Sequence, residues 1–236
     1  SHSPEFAMLE MYWAYADWRT MKALTQELVQ NAARDVFGSH SVTHYNGSVH
    51  NLGGEWKEID FYDAINSKVD IEVSPETNFD ELKKLAQRIG LKVDPKWVHG
   101  KLAEEIFEFV YKEHLQEPTF VMGYPVDTSP LVREHRDRKG IVEKWDLYFG
   151  GFELATGYSE LVDPVIQRQR LVEQAKLGAK GDLEAMQVDE DFLRAMEHGM
   201  PPMGGVGMGI DRLLMALTGL GIRETILFPL VKPEES

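Results

Sequence analysis

The 236-residue chain contains no cysteine. Disulfides, thiolate nucleophiles and cysteine-ligated metal centres are therefore excluded, and the absence fits a reducing compartment, the cytoplasm. No apolar run approaches the roughly 18 residues that cross a bilayer, so no membrane contact is expected from this segment. No secretory signal is visible at "SHSPEF", where the chain starts without a methionine; a fragment or a processed chain is the expectation. Positive charge is scarce too. The 25 Lys and Arg face 39 Asp and Glu, for a formal net charge of −14. That is the reverse of a general nucleic-acid-binding surface, so any contact with nucleic acid has to be local. What the chain does have is 43% hydrophobic residues, enough to bury a sizeable core.

Periodicity and punctuation divide the chain into elements. Residues 5–16, "EFAMLEMYWAYA", read as an aromatic-rich strand, and 17–37 as a helix capped by Asp17 and stopped by Gly38. Irregular strands are expected over 41–60. Helices are expected over 78–89, where Asn78 and Glu81 resemble a capping box, and over 100–115, with Leu102, Ile106, Phe109 and Val110 facing inward. "TFVM" at 119–122 reads as a short buried strand, and 142–158 as a hairpin around Gly150-Gly151. Asp163-Pro164 opens a further helix, and Asp189 another that ends at Gly199. Strands interrupted by irregular helical insertions favour an α+β fold with a mostly antiparallel sheet over regular βα alternation.

Three clusters carry possible chemistry. In "GGVGMGIDRLLMALTG" (204–219), Ile210, Leu213, Leu214 and Leu217 form one apolar helical stripe that Gly219 ends. Arg212 falls in the first turn of that helix, where the dipole opposes a cation by roughly 0.3–1 kcal/mol. A nearby carboxylate or a bound anion would offset this. The preceding glycines read either as open backbone beside a ligand or as a tight bend packed under the sheet. In the hairpin, a two-residue Gly150-Gly151 turn pairs Phe149 with Phe152, Tyr148 with Glu153 and Asp146 with Ala155. Asp146 and Glu153 are then diagonal neighbours that could share a cation, although two solvated acids would look the same. Thr156, Tyr158 and Glu160 share one face, opposite in parity to Glu153; the two sets meet only if the strand bulges, with Gly157 the expected place. Glu10 and Tyr12 share a face with Phe6 and Met8 on the first strand, where a buried Glu needs a cationic partner unless this face lies partly in solvent.

Taken in order, these segments resemble class II aminoacyl-tRNA synthetases. "HSPEFAMLEMYWAYAD" is similar to the second half of their motif 2 and "GGVGMGIDRLLMALTG" to their motif 3. "PTFVMGYPVDTSPL", "KWDLYFGGFELATGYSELVDP" and "IRETILFP" resemble the bacterial lysyl-tRNA synthetases. The resemblance covers essentially all of residues 1–236. It implies a class II catalytic core, incomplete, with an antiparallel sheet flanked by helices and a helical insertion around 76–116.

The resemblance also implies a reaction: ATP-dependent activation of lysine to lysyl-adenylate, then transfer to tRNA(Lys), with no covalent enzyme nucleophile. It assigns Arg212, Glu153 and Gly209 to ATP, with Arg212 the catalytic cation. Asp146 and Glu153 fall to Mg²⁺. Glu10, Tyr12, Thr156, Tyr158, Glu160 and Gly209 fall to lysine. At Thr156 the family often has Asn, and at Asp146 often Glu. The first half of motif 2, motif 1 with its homodimer interface and the anticodon-binding OB-fold would all precede residue 1, and the segment alone is not expected to complete adenylation. Two other enzymes would share this chemistry: a bifunctional protein that feeds lysyl groups to phosphatidylglycerol, and a paralogue that lysylates a protein.

Overall fold

Aspartates and glycines punctuate the chain much as the sequence suggests. The computed structural model describes residues 5–179 and 186–229. Strand β1 (Met8–Ala14) runs into helix α1 (Trp18–Phe37), which Asp17 caps by accepting from the amides of Arg19 and Thr20 and which Gly38 ends at φ 70°. Strands β2 (Ser41–Thr43) and β3 (Val49–Asn51) form a small separate ribbon. Strand β4 (Lys57–Asp60) leads through α2 (Phe61–Asn66), α3 (Phe79–Ile89) and α4 (His99–Tyr111) to β5 (Thr119–Met122). The hairpin is β6 (Lys144–Phe149) and β7 (Phe152–Ser159); α5 (Pro164–Ala179) and α6 (Glu190–Glu197) follow it. Strand β8 (Met203–Gly209), α7 (Ile210–Thr218) and α8 (Ile222–Thr225) complete the described chain.

The main sheet has the order β1-β8-β7-β6-β5-β4, and every pair is antiparallel except β4 with β5. That parallel pair needs a long crossover, which α2, α3 and α4 supply. The sheet separates two cores. Trp145, Leu147, Phe149, Val206 and Met208 pack with Met21 and Val29 of α1 on one face. Val121 and Tyr148 pack with Phe61, Leu102, Ile106 and Phe107 on the other.

Several expectations need correction. The helix expected over 100–115 ends at Tyr111 and tightens into a 3₁₀ turn over Lys112–His114. Its inward stripe uses Phe107 rather than Phe109, which is 52% exposed. Leu214 of α7 is also exposed, at 41%, so the stripe there is buried only at its Leu217 end. The glycine run is a strand rather than a bend: β8 pairs with β1 on one side and β7 on the other.

The bulge lies earlier than Gly157. Phe149 pairs with Phe152 and Tyr148 with Glu153, but Leu147 then pairs with Ala155 and Asp146 with Thr156. Leu154 is the extra residue. Both Leu154 and Ala155 bury in the α1-side core opposite Leu147, so one added residue returns Glu153 and Thr156 to the same face.

Candidate active site

The registers set out a plane of side chains on the sheet face that carries Val121. Cα partners across it run Glu10, Gly207, Thr156, Asp146 and Val121 in one row. The next row runs Tyr12, Gly205, Tyr158 and Lys144. Because side chains alternate along a strand, Gly205, Gly207 and Gly209 leave three of β8's four positions on this face without a side chain, Met203 being the fourth. The result is a trough floored by backbone, with β1 as one wall and β7–β6 as the other. At Gly205 the missing Cβ is a steric requirement, since one placed there would collide with Glu160 Oε1 and crowd the Tyr12 ring.

One end of the trough is acidic. The Tyr12 hydroxyl donates to Glu10 Oε2 at 3.2 Å. Glu160 follows β7, and its amide donates to Met203 O at 2.9 Å. Its Oε1 is buried with no hydrogen-bond partner. Burial, and then the charge of Glu10, push the Glu160 carboxyl up to about 7. Tyr158 is held well above the usual phenol range by burial and then by Glu160, Tyr12 and Glu10. No cation offsets these acids among the described residues.

The other end holds Asp146, Glu153 and Arg212. Asp146 is 3% exposed, and its Oδ1 has no hydrogen-bond partner. Its Oδ2 accepts from Lys144 Nζ at 3.0 Å. Glu153 is pushed upward by burial and by Asp146, against the pull of Lys144 and Arg212. The carboxylates thus face the same region, as their spacing suggested, although the bulge makes Thr156 rather than Ala155 the partner of Asp146.

Arg212 turns inward from α7: its Nη1 donates to Glu153 O at 2.7 Å and lies 3.9 Å from Glu153 Oε1. The nearby carboxylate expected to offset its unfavourable helix position is therefore Glu153. A cavity of about 290 Å³ opens here, lined by Met8, Glu153, Thr156, Gly207, Gly209 and Arg212 among others. The Thr156 hydroxyl donates to Trp145 O at 3.4 Å. On the opposite side of the cavity, Asp211 Oδ2 accepts from the Ala7 amide at 3.1 Å and ties the start of β1 to α7.

All nine residues singled out from the sequence therefore line one trough. Lys144, Gly205 and Gly207 were missed. Lys144 is two residues from Asp146 on the same strand, so the alternation that related the acids could also have found it. Gly205 and Gly207 could have been found only by reading the glycine run as a strand.

Comparison with known proteins identifies the architecture. Residues 1–232 match the family model of tRNA synthetases class II (D, K and N). The chain is 61% identical over 234 residues to a lysine–tRNA ligase of Kineococcus radiotolerans, covering 99% of this chain and 47% of that protein. A lysine–tRNA ligase of Mycolicibacterium gilvum is 51% identical over 98% of the chain and 47% of its own length. The lysylphosphatidylglycerol biosynthesis bifunctional protein LysX of Nocardia farcinica is 45% identical over 99% of the chain but only 21% of its own length. The chain thus spans about half the length of the two ligases. The chain belongs to the class II tRNA synthetases, within the branch of the D, K and N enzymes.

Proposed function

We propose that the chain carries the lysine-activating site of a lysine–tRNA ligase, one part of a longer protein that forms lysyl-adenylate from lysine and ATP and passes the lysyl group to tRNA(Lys). The observation that carries this reading is the pairing of Glu10 with Glu160 around Tyr12 and Tyr158, with a buried Glu160 oxygen left unpartnered. Burial and the Glu10 charge raise the pKa of Glu160, and an ammonium group between the two carboxylates would relieve it. A lysine side chain entering along the glycine floor would place its ammonium between them and its carboxylate toward the Arg212 end.

At that end the work is electrostatic and positional. Arg212, anchored by the Glu153 carbonyl, would bear against the nucleotide. The unsatisfied Asp146 Oδ1 and the upward shift that burial and Asp146 impose on Glu153 fit a divalent cation, so these two acids would hold Mg²⁺. Bound there, the metal would neutralise charge on the phosphate oxygens. The full-length protein is expected as a cytoplasmic homodimer. The 45% identity to the bifunctional LysX protein keeps a second reading in view, in which the same lysine activation serves phosphatidylglycerol lysylation. Lysine-dependent ATP–pyrophosphate exchange by the full-length protein tests the shared chemistry, and charging of tRNA(Lys) tests the ligase. Exchange that ignores lysine would sink the proposal.

A further inference from the structure

We propose that Lys144 is a resident counter-ion for the Asp146–Glu153 pair, which keeps bare divalent cations out of the site so that the metal enters together with nucleotide phosphates. This rests on the reading of those two acids as the metal-holding pair. It goes beyond that reading by giving a role to a residue that touches neither lysine nor nucleotide in it.

Lys144 is held from several sides. Its Nζ donates to Asp146 Oδ2 at 3.0 Å and sits 4.3 Å from the centre of the Tyr124 ring, a cation–π contact on the side facing α2. Its side chain is only 18% exposed. Glu104 of α4 and Glu153 face the same ammonium. Arg212 stands beside Glu153 more loosely, hydrogen-bonded to its carbonyl and 3.9 Å from its carboxylate.

Each carboxylate of the pair therefore has a cation beside it, and these four groups sum to zero formal charge; Glu104, the further acid facing Lys144, is pushed toward its protonated form by burial. A bare dication would arrive at a neutral site within a few ångströms of an ammonium, in surroundings where charges interact far more strongly than in water. A metal that arrives on a triphosphate brings the compensating anions with it. The geometry leaves room for this order of events. Lys144 occupies only Oδ2, and Oδ1 is buried without a geometric hydrogen bond, with the Tyr124 hydroxyl beside the carboxylate.

The test is calorimetric titration of the full-length protein with Mn²⁺, with and without a non-hydrolysable ATP analogue. Wild type should bind Mn²⁺ weakly without nucleotide. Lys144→Met and Lys144→Gln should bind it about tenfold or more tightly, and the gain should shrink once the analogue is present. Lys144→Gln keeps a hydrogen-bond donor for Asp146 and covers the case in which the Met variant does not fold. Mn²⁺ should also raise the melting temperature of both variants and leave that of wild type nearly unchanged. Lys144→Arg keeps the charge and should behave as wild type, and adding Asp146→Asn to Lys144→Gln should abolish the gain. Nucleotide-free Mn²⁺ binding by Lys144→Gln no tighter than wild type overturns the proposal, as does equal tightening by Lys144→Arg. A separate arm examines the reading beneath it: if Glu153→Gln leaves Mn²⁺ binding with the analogue unchanged, the assignment of the acids to metal fails, whatever the Lys144 variants do.

Discussion

The trough carries two pairs of carboxylates about one strand apart, and they are built in opposite ways. Asp146 and Glu153 each have a resident cation, Lys144 and Arg212. Glu10 and Glu160 have none, only the hydroxyl of Tyr12 on Glu10 and the nearby phenol of Tyr158. Identical functional groups on one sheet face thus present a neutral end and an end with unrelieved negative charge. In the proposed reaction, the unrelieved end selects a substrate by its positive charge. The neutral end accepts a polyanion and its metal without first having to expel a tightly bound ion. Recognition and chemistry are separated by where the protein has placed its own cations.

The largest expected effect tests the unrelieved end. The full-length protein should activate lysine in preference to norleucine by a factor on the order of 10⁴, because the neutral analogue leaves the buried Glu160 carboxylate unpaired. Glu160→Gln should remove most of that preference in ATP–pyrophosphate exchange while changing the KM for ATP little. Comparable activation of norleucine by wild type would erase the contrast between the two ends.

Arg212→Ala should act at the neutral end alone. Exchange should fall about 10²- to 10³-fold, in line with the loss of one charge-stabilising donor, with lysine binding and thermal stability close to wild type. A matching loss of lysine affinity would show that the two ends do not act separately.

Acidity distinguishes the ends more finely. Glu160 holds its proton up to about 7 in the unliganded fold, but an unfolded Glu releases its proton near 4.3. Between those values the folded state binds more protons, so this residue's contribution to stability falls as pH rises and is least above 7. Urea unfolding of wild type against Glu160→Gln should show the variant gaining about 1–3 kcal/mol at pH 8, and the gain should vanish near pH 4. Lysine affinity should run the other way and weaken as pH falls through about 7. A pH-independent difference would mean that Glu160 is already paired.

The smallest change is Gly205→Ala. The new methyl group would meet Glu160 Oε1 and the Tyr12 ring. The lysine KM should rise about tenfold, the scale of one misplaced methyl group in a fitted pocket, with the ATP KM unchanged. An unaltered lysine KM would show that the floor is less tightly fitted than its contacts imply.

Much of this was legible beforehand, for reasons that differ by element. Asp17, Asn78, Asp163 and Asp189 announced helix starts because a cap is a local interaction, settled within three residues. The sheet class followed from the spacing of strands and insertions. Phe109 was misplaced because Phe107 and Phe109 lie about 100° and 60° to either side of Ile106 on the helix, and tertiary packing chose Phe107. Gly205 and Gly207 were read as loop because glycine carries little strand signal; only their pairing with β1 and β7 shows that they are a floor. The convergence of the acids depended on the bulge, and its position at Leu154 is a matter of core packing under the sheet rather than of any turn-forming residue.

That single extra residue has a consequence for rebuilding the protein. Strand β7 is two reading frames joined at Leu154: the segment through Glu153 is phased to the Arg212 end and the segment from Ala155 to Glu160 to the Glu10 end. A transplant that carries the second segment intact would move the Tyr158–Glu160 face with its orientation preserved. One that cuts a residue to either side of the junction would turn Thr156, Tyr158 and the carboxylate of Glu160 toward the hydrophobic core. The natural unit of exchange in this fold is therefore a half-strand, and its boundary is set by a buried leucine.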